Sequence, residues 1–143
     1  MKRLHGLFAI LALTFLSTET WGQTSKEYAL MGRKLYAAFV CAALTDVTGE
    51  ANEKNRLFNI GYEQGKIFIN AVQSGKIQAD DFNNQVPIAV TFLLKGPSVD
   101  FILGRIFEAA IDDATKDVFD IHDKEAQKIF AQSKYTKMNC GLM

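Results

Sequence analysis

Apolar residues recur at helical spacing along most of the chain beyond residue 22, and this pattern predicts a series of amphipathic helices. The first predicted helix covers residues 25–47, with Ser25 as its N-terminal cap and Thr48-Gly49 as its end. Its apolar positions form two neighbouring stripes, so we expect it to pack against more than one neighbour. Cys41 falls on the opposite side, where we expect the C-terminal segment to lie across the bundle.

The second predicted helix covers residues 50–74 and is stopped by Gly75. Gly61 and Gly65 lie one turn apart on it, although a glycine inside a helix costs about 1 kcal/mol relative to alanine. We therefore expect both glycines to permit the close approach of a neighbouring helix. Gln64 lies in the apolar stripe beside them, so its amide needs hydrogen-bonding partners. Two interpretations stay open: a pocket-facing amide that binds a ligand or partner, or a core amide bonded to a neighbouring helix.

Tyr62 and Glu63 flank the polar side of the glycine pair, and together with Gln64 they are the candidate binding residues of the sequence. The run from Gly61 to Lys66 (GYEQGK) resembles the glycine-tyrosine helices of small periplasmic immunity proteins of bacterial effector systems. Those proteins are also small, exported and helical, and many contain a disulfide. The resemblance is confined to this run and assigns no functional role to its residues.

The rest of the chain also favours helices. A short helical turn is predicted at Asp80, and residues 86–94 contain the densest apolar run beyond residue 22. Pro87 suits the first turn of a helix, and no convincing partner strand exists, so we predict a helix here, although the pattern also fits a buried strand. A long helix is predicted from residue 97 or 98 to residue 119, and a last helix around residues 126–133.

The two cysteines, Cys41 and Cys140, complete the predicted architecture. In an exported chain an even pair predicts one intramolecular disulfide, whereas the alternatives are an intermolecular bridge or a reactive thiol pair. The absence of a C-x-x-C motif argues against a redox catalyst. The predicted fold is therefore all-α: a single domain over residues 23–143, built as an irregular bundle of four to five helices and linked by one disulfide.

The N-terminus has the organisation of a secretory signal peptide. A short basic start is followed by an apolar stretch at residues 7–16 and a polar stretch that ends at Gly22. The apolar stretch is too short to cross about 30 Å of hydrocarbon as a helix, so we expect cleavage after Gly22 and no transmembrane span in the mature protein. The expected compartment is the bacterial periplasm, or the extracellular space if the source has no outer membrane.

Charge and composition exclude several function classes. The chain has 16 basic and 16 acidic residues, and removal of the signal leaves a net charge near −1, with no electrostatic footprint for nucleic acid or an anionic membrane. His122 is the only histidine beyond the signal, which argues against a zinc site or a catalytic triad. The acidic residues at 112–125 lack the spacing of a calcium loop. We therefore predict no metal and no cofactor.

These observations favour a non-enzymatic binding or interaction protein of the cell envelope, with an inhibitor or immunity-type protein as a specific case. Its partner, a protein or a small molecule, is not identified by the sequence. The alternative is a small cell-envelope hydrolase that uses a pair of carboxylates such as Glu63 and Asp113. Asp113 and Asp117 continue the core stripe of the long helix, so they are either buried acids suited to acid–base chemistry or residues at the edge of the bundle.

Overall fold

The computed structural model describes residues 22–143, so the predicted signal peptide, apart from Gly22, lies outside the described residues. The elements are α1 (Ser25–Thr48), α2 (Ala51–Gln73), α3 (Ala79–Gln85), α4 (Ile88–Leu93), α5 (Val99–Phe119), α6 (Lys124–Lys137) and a short 3-10 turn (Cys140–Leu142). Residues 22–143 contain no strand, and the ambiguous run at residues 86–94 contains the helix α4. The all-α prediction is confirmed, and the described residues form six helices instead of the four to five expected.

Helix α1 is the centre of the bundle. It contacts α2, α3, α5, α6 and the 3-10 turn, and every residue from 38 to 45 is buried. This arrangement explains why its apolar positions are spread so widely around the helix. The C-terminal segment lies across the side that carries Cys41, so that side is also covered and Cys41 is fully buried.

The start of α1 is capped by Thr24, whereas the sequence pattern had pointed to Ser25. The Glu27 N–H donates to Thr24 Oγ1 at 3.2 Å, and the Thr24 N–H donates to Glu27 Oε2 at 2.7 Å, which is a complete capping box. Ser25 has a different role: its hydroxyl donates to Asp81 Oδ2 at 2.5 Å and accepts from the Gln78 N–H at 2.8 Å. Ser25 thereby attaches α3 to the beginning of α1.

The α1–α2 interface is close because α2 has glycines where the two helices meet. A Cβ atom added to Gly61 would lie 2.5 Å from Phe39 Cδ1 and 3.2 Å from the Leu35 carbonyl oxygen. A Cβ atom added to Gly65 would overlap Leu103 of α5 and lie 3.0 Å from Leu35 Cδ1. The two glycines therefore face packed atoms of α1 and α5, where a larger side chain has no free space.

The C-terminal segment is fixed in place by the predicted disulfide and by a polar cluster. Cys41 and Cys140 are bonded, with their Cα atoms 5.6 Å apart and a separation of 99 positions in sequence. Arg56 Nη1 donates to the Met143 carbonyl oxygen at 2.6 Å, and the Tyr135 hydroxyl donates to Glu53 Oε1 at 2.6 Å. Hydrogen bonds from Arg56 and then from Tyr135 lower the pKa of Glu53 from its usual value near 4.5 to about 2.

Candidate functional site

One concave feature of the described residues is a groove between α1, α5 and α6, with a volume of about 400 Å³. Its apolar lining comes from α1 and α5, from Pro87 before α4 and from Met138 after α6. Its rim carries charged side chains of both signs. We call this feature the groove. Its lining residues are Arg33, Tyr36, Ala37, Val40, Pro87, Asp113, Ala114, Lys116, Asp117, Lys134 and Met138.

The groove exists because small side chains face it from two long helices. Ala37 of α1 and Ala114 of α5 both line it, and neither side chain extends beyond Cβ. Val40 and Ala114 are buried and form its apolar base, while Met138 adds a flexible apolar side chain at the rim. An apolar base with a polar rim is the usual composition of a site that binds a ligand or a partner's side chain.

A phenol–carboxylate pair connects α1 to α5 across the groove. The Tyr36 hydroxyl donates to Asp113 Oδ2 at 3.2 Å. Partial burial, and after it the negative charge of Asp113, raise the pKa of Tyr36 to about 12. The phenol therefore keeps its proton at neutral pH and acts as a hydrogen-bond donor, while the second oxygen of Asp113 can accept from a bound molecule.

Two of the basic residues at the rim are already engaged with the protein itself. Lys134 Nζ donates to the Ala114 carbonyl oxygen at 2.8 Å and lies 4.0 Å from Asp117 Oδ2. Arg33 donates to the backbone carbonyl oxygens of Asn84 and Gln85 at 3.3 and 3.2 Å. These bonds hold the Arg33 and Lys134 side chains in place at the rim.

The candidate binding residues from the sequence lie elsewhere. Gln64 is half-buried, so its amide is not enclosed in the core, and Glu63 is exposed with its Oε1 3.4 Å from Lys66 Nζ. Tyr62 is half-buried, and its hydroxyl donates to Asp100 Oδ1 at 2.8 Å, which raises the pKa of Tyr62. Tyr62 lines a second, smaller pocket of about 150 Å³ together with aromatic side chains of α1, α2 and α5. None of the three residues lines the groove.

The carboxylate pair suggested for a hydrolase also has separate surroundings. Glu63 pairs with Lys66 on α2, whereas Asp113 accepts from Tyr36 in the groove. The groove brings Asp113 together with Asp117 instead, one turn further along the same helix. Asp113 and Asp117 are both exposed, so they are edge residues and not buried acids.

The groove residues that sequence reasoning missed are Tyr36, Ala37 and Lys134. Tyr36 fitted the apolar stripe of the first helix, so nothing in the pattern marked its hydroxyl as functional. Lys134 lies in the short last helix, and its approach to Ala114 depends on how α6 packs against α5. Of the residues that line the groove, only Asp113 and Asp117 were marked as candidates by the sequence.

Comparisons with known proteins add no functional information. No protein-family model matches the chain, and neither the curated proteins nor the solved structures contain a significant match. Within residues 22–143, no three side chains of His, Cys, Asp or Glu are grouped so that they could hold a metal ion. In the same range, no helix is long and apolar enough to cross a membrane.

Proposed function

We propose that this chain is an exported protein of the bacterial cell envelope that acts by binding a partner in the groove. The observation that carries the proposal is the groove itself: an apolar base between two long helices, with a rim whose charges are fixed by hydrogen bonds. The buried disulfide is compatible with this setting, because disulfides persist in oxidising compartments such as the periplasm.

An inhibitor or immunity-type protein is the specific form of this proposal. The GYEQGK run, which resembles helices of periplasmic immunity proteins, lies on α2 outside the groove, where its two glycines pack against α1. A gene for a secreted toxin beside this one would identify the partner class.

The alternative is a small cell-envelope hydrolase. Of the pair suggested for it, Glu63 and Asp113, only Asp113 lines the groove, so within the groove this alternative depends on Asp113 together with Asp117. Hydrolysis by two carboxylates requires them to flank the bond that is cleaved. Asp113 and Asp117 lie one turn apart on α5 and approach a bound molecule from the same side, which favours binding over this chemistry. Digestion of purified cell-wall glycan by the parent protein, lost in Asp113→Asn/Asp117→Asn, would support the hydrolase instead.

Export is expected to remove Trp21, the only tryptophan of the chain. Protein recovered from the periplasm should begin at Gln23 and should lack tryptophan fluorescence, because the expected cleavage follows Gly22. Intact-mass measurement and an emission spectrum check both points. A major periplasmic species that retains Met1 or Trp21 would contradict cleavage at this site.

Partner binding in the groove can be tested by photo-crosslinking in living cells. A benzophenone amino acid at Ala37, in the groove, should give a discrete adduct that the same probe at exposed Lys128 on α6 does not give. Asp117→Lys should reduce that adduct about fivefold or more, since reversing a charge at an interface costs about 1 kcal/mol or more, and 1 kcal/mol is roughly a factor of five.

Asp112→Lys is the matched control for this experiment. Asp112 is an exposed aspartate of the same helix that does not line the groove, so its reversal should leave the Ala37 adduct unchanged. Equal adducts from the probes at Ala37 and Lys128, or equal losses from the two charge reversals, would argue that the groove is not the binding site.

A further inference from the structure

The smaller pocket, between α1, α2 and α5, is lined mainly by aromatic side chains. Its volume of about 150 Å³ gives room for a molecule about the size of benzene. We call this feature the aromatic pocket. Its lining includes four aromatic residues and two exposed residues of α5, namely Phe39, Phe58, Tyr62, Phe107, Asp100 and Gly104.

The four aromatic rings form one connected cluster. The rings of Phe39 and Phe58 are stacked with their centres 5.5 Å apart, and Tyr62 stacks on Phe58 at 6.0 Å. The ring of Phe107 stands at 66° and 78° to those of Phe39 and Phe58, with its centre 5.0 Å from each. Several rings around one small space form the kind of cage that binds quaternary ammonium groups, because the face of each ring is partially negative.

Asp100 supplies the only formal charge among the residues that line the aromatic pocket. Its Oδ1 accepts from the Tyr62 hydroxyl at 2.8 Å, so the carboxylate is held beside the rings. Within residues 22–143, no basic side chain lies within ion-pair distance of Asp100. The carboxylate therefore adds a negative charge to a space whose aromatic walls already favour a cation.

The neighbouring basic side chains do not line the pocket. Arg105 Nη1 donates to the Lys95 carbonyl oxygen at 2.8 Å, and Lys66 Nζ lies 3.4 Å from Glu63 Oε1. Lys66 Nζ also lies 5.2 Å from the centre of the Tyr62 ring, so this ring already attracts a cation from outside the pocket. Lys66, Lys95 and Arg105 are all absent from the lining, so the formal charge that a ligand touches inside the pocket is the carboxylate.

We propose that the aromatic pocket binds a small, free organic cation that carries a trimethylammonium group, as choline does. The methyl groups lie against the rings, and the positive charge is attracted by the ring faces and by Asp100. A trimethylammonium group has no N–H donor, so it leaves no donor without an acceptor in an apolar pocket, whereas a primary ammonium has three to satisfy. This inference goes beyond binding in the groove and does not depend on it, because the two sites share no lining residue.

The test is a titration of the purified, disulfide-bonded protein with choline, followed by NMR. Because the ligand is so small, we expect a dissociation constant in the millimolar range. Nuclear Overhauser effects should connect the choline methyl protons to ring protons of Phe58, Tyr62 and Phe107. The uncharged isostere 3,3-dimethylbutanol and the primary amine ethanolamine should each bind at least about fivefold more weakly than choline.

Two variants separate the contribution of charge from that of space. Asp100→Asn should weaken choline binding about threefold and leave binding of the isostere unchanged, since the amide still accepts from the Tyr62 hydroxyl. Gly104→Leu should abolish binding of both molecules, because a Cβ atom added there has nothing within 4 Å and the longer side chain can occupy the pocket. Its midpoint in urea should be no lower than that of the parent, which shows that the fold is intact.

Asp112→Asn and Glu108→Leu are the matched controls. Both residues are exposed on α5, and neither lines the aromatic pocket. Asp112→Asn removes one carboxylate from the same helix, and Glu108→Leu adds a leucine one turn beyond Gly104. Both controls should bind choline about as tightly as the parent.

Four results would overturn the proposal. The first is the absence of contacts between choline and the three rings, and the second is equal affinity for choline and its isostere, which would make the pocket merely apolar. The third is an equal loss of binding in Asp100→Asn and Asp112→Asn. The fourth is tighter binding of phosphocholine than of choline, which would assign the pocket to a lipid headgroup instead of a free cation. Loss of the Ala37 adduct with choline binding intact would refute only the groove proposal.

Discussion

Removal of the Cys41–Cys140 disulfide is expected to lower the free energy of unfolding by about 4–5 kcal/mol, the value that loop-closure entropy gives for a loop of roughly 100 residues. The bridge joins residues 99 positions apart, so it restricts almost the whole described chain in the unfolded state. A domain of this size has about 5–15 kcal/mol of stability in total, so the loss takes a large share of it.

The measurement is urea unfolding of the parent beside Cys41→Ala/Cys140→Ala. Alanine is the appropriate replacement, because both cysteines are fully buried and a serine hydroxyl would need a partner there. Thiol titration of the denatured, unreduced parent should find almost no free thiols. Folded protein should resist mild reductant, since neither sulfur is accessible to an attacking thiolate. Two free thiols in freshly isolated periplasmic protein would contradict the native bridge.

The long helices could be predicted from the sequence because each buries a continuous apolar stripe. The predicted bounds of α1, α2 and α5 agree with the structure to within one or two residues, since capping residues and glycines mark their ends. Helix α3 differs because none of its residues is buried, so no apolar periodicity reveals its length. Its position depends on the contacts of Ser25 with Asp81 and Gln78, which join residues more than 50 positions apart.

The groove could not be predicted in the same way, because it forms where α1 and α5, which are far apart in sequence, both lack a large side chain. Ala37 and Ala114 both read as ordinary small residues until the packing places them around one space. For Gln64, the apolar stripe predicted more burial than the structure shows. The side of α2 that packs most closely carries Gly61 and Gly65, and Gln64, one residue before Gly65, is rotated about 100° away from it. It therefore lies at the edge of the interface, half-buried.

Substitution of Gly65 by leucine is expected to lower the free energy of unfolding by about 3 kcal/mol or more, at the upper end of the usual cost of overpacking. Its added atoms would overlap Leu103 and press on Leu35, which are both fully or almost fully buried and cannot move into solvent. Gly65→Ala should cost about 1–3 kcal/mol for the same reason. Gly61→Ala should also destabilise, since its Cβ atom would approach the backbone oxygen of Leu35, which cannot rotate away.

The decisive control is Gly104→Ala. Gly104 also lies inside a long helix, but a Cβ atom added there has nothing within 4 Å, so alanine should raise stability by up to about 1 kcal/mol through helix propensity and unfolded-state entropy. Lys66→Ala, on the outer side of α2, should be nearly neutral. Urea midpoints of these variants beside the parent give the sign of each effect. If Gly61→Ala and Gly65→Ala raise the midpoint as Gly104→Ala does, then α1 and α5 do not pack against these glycines in solution.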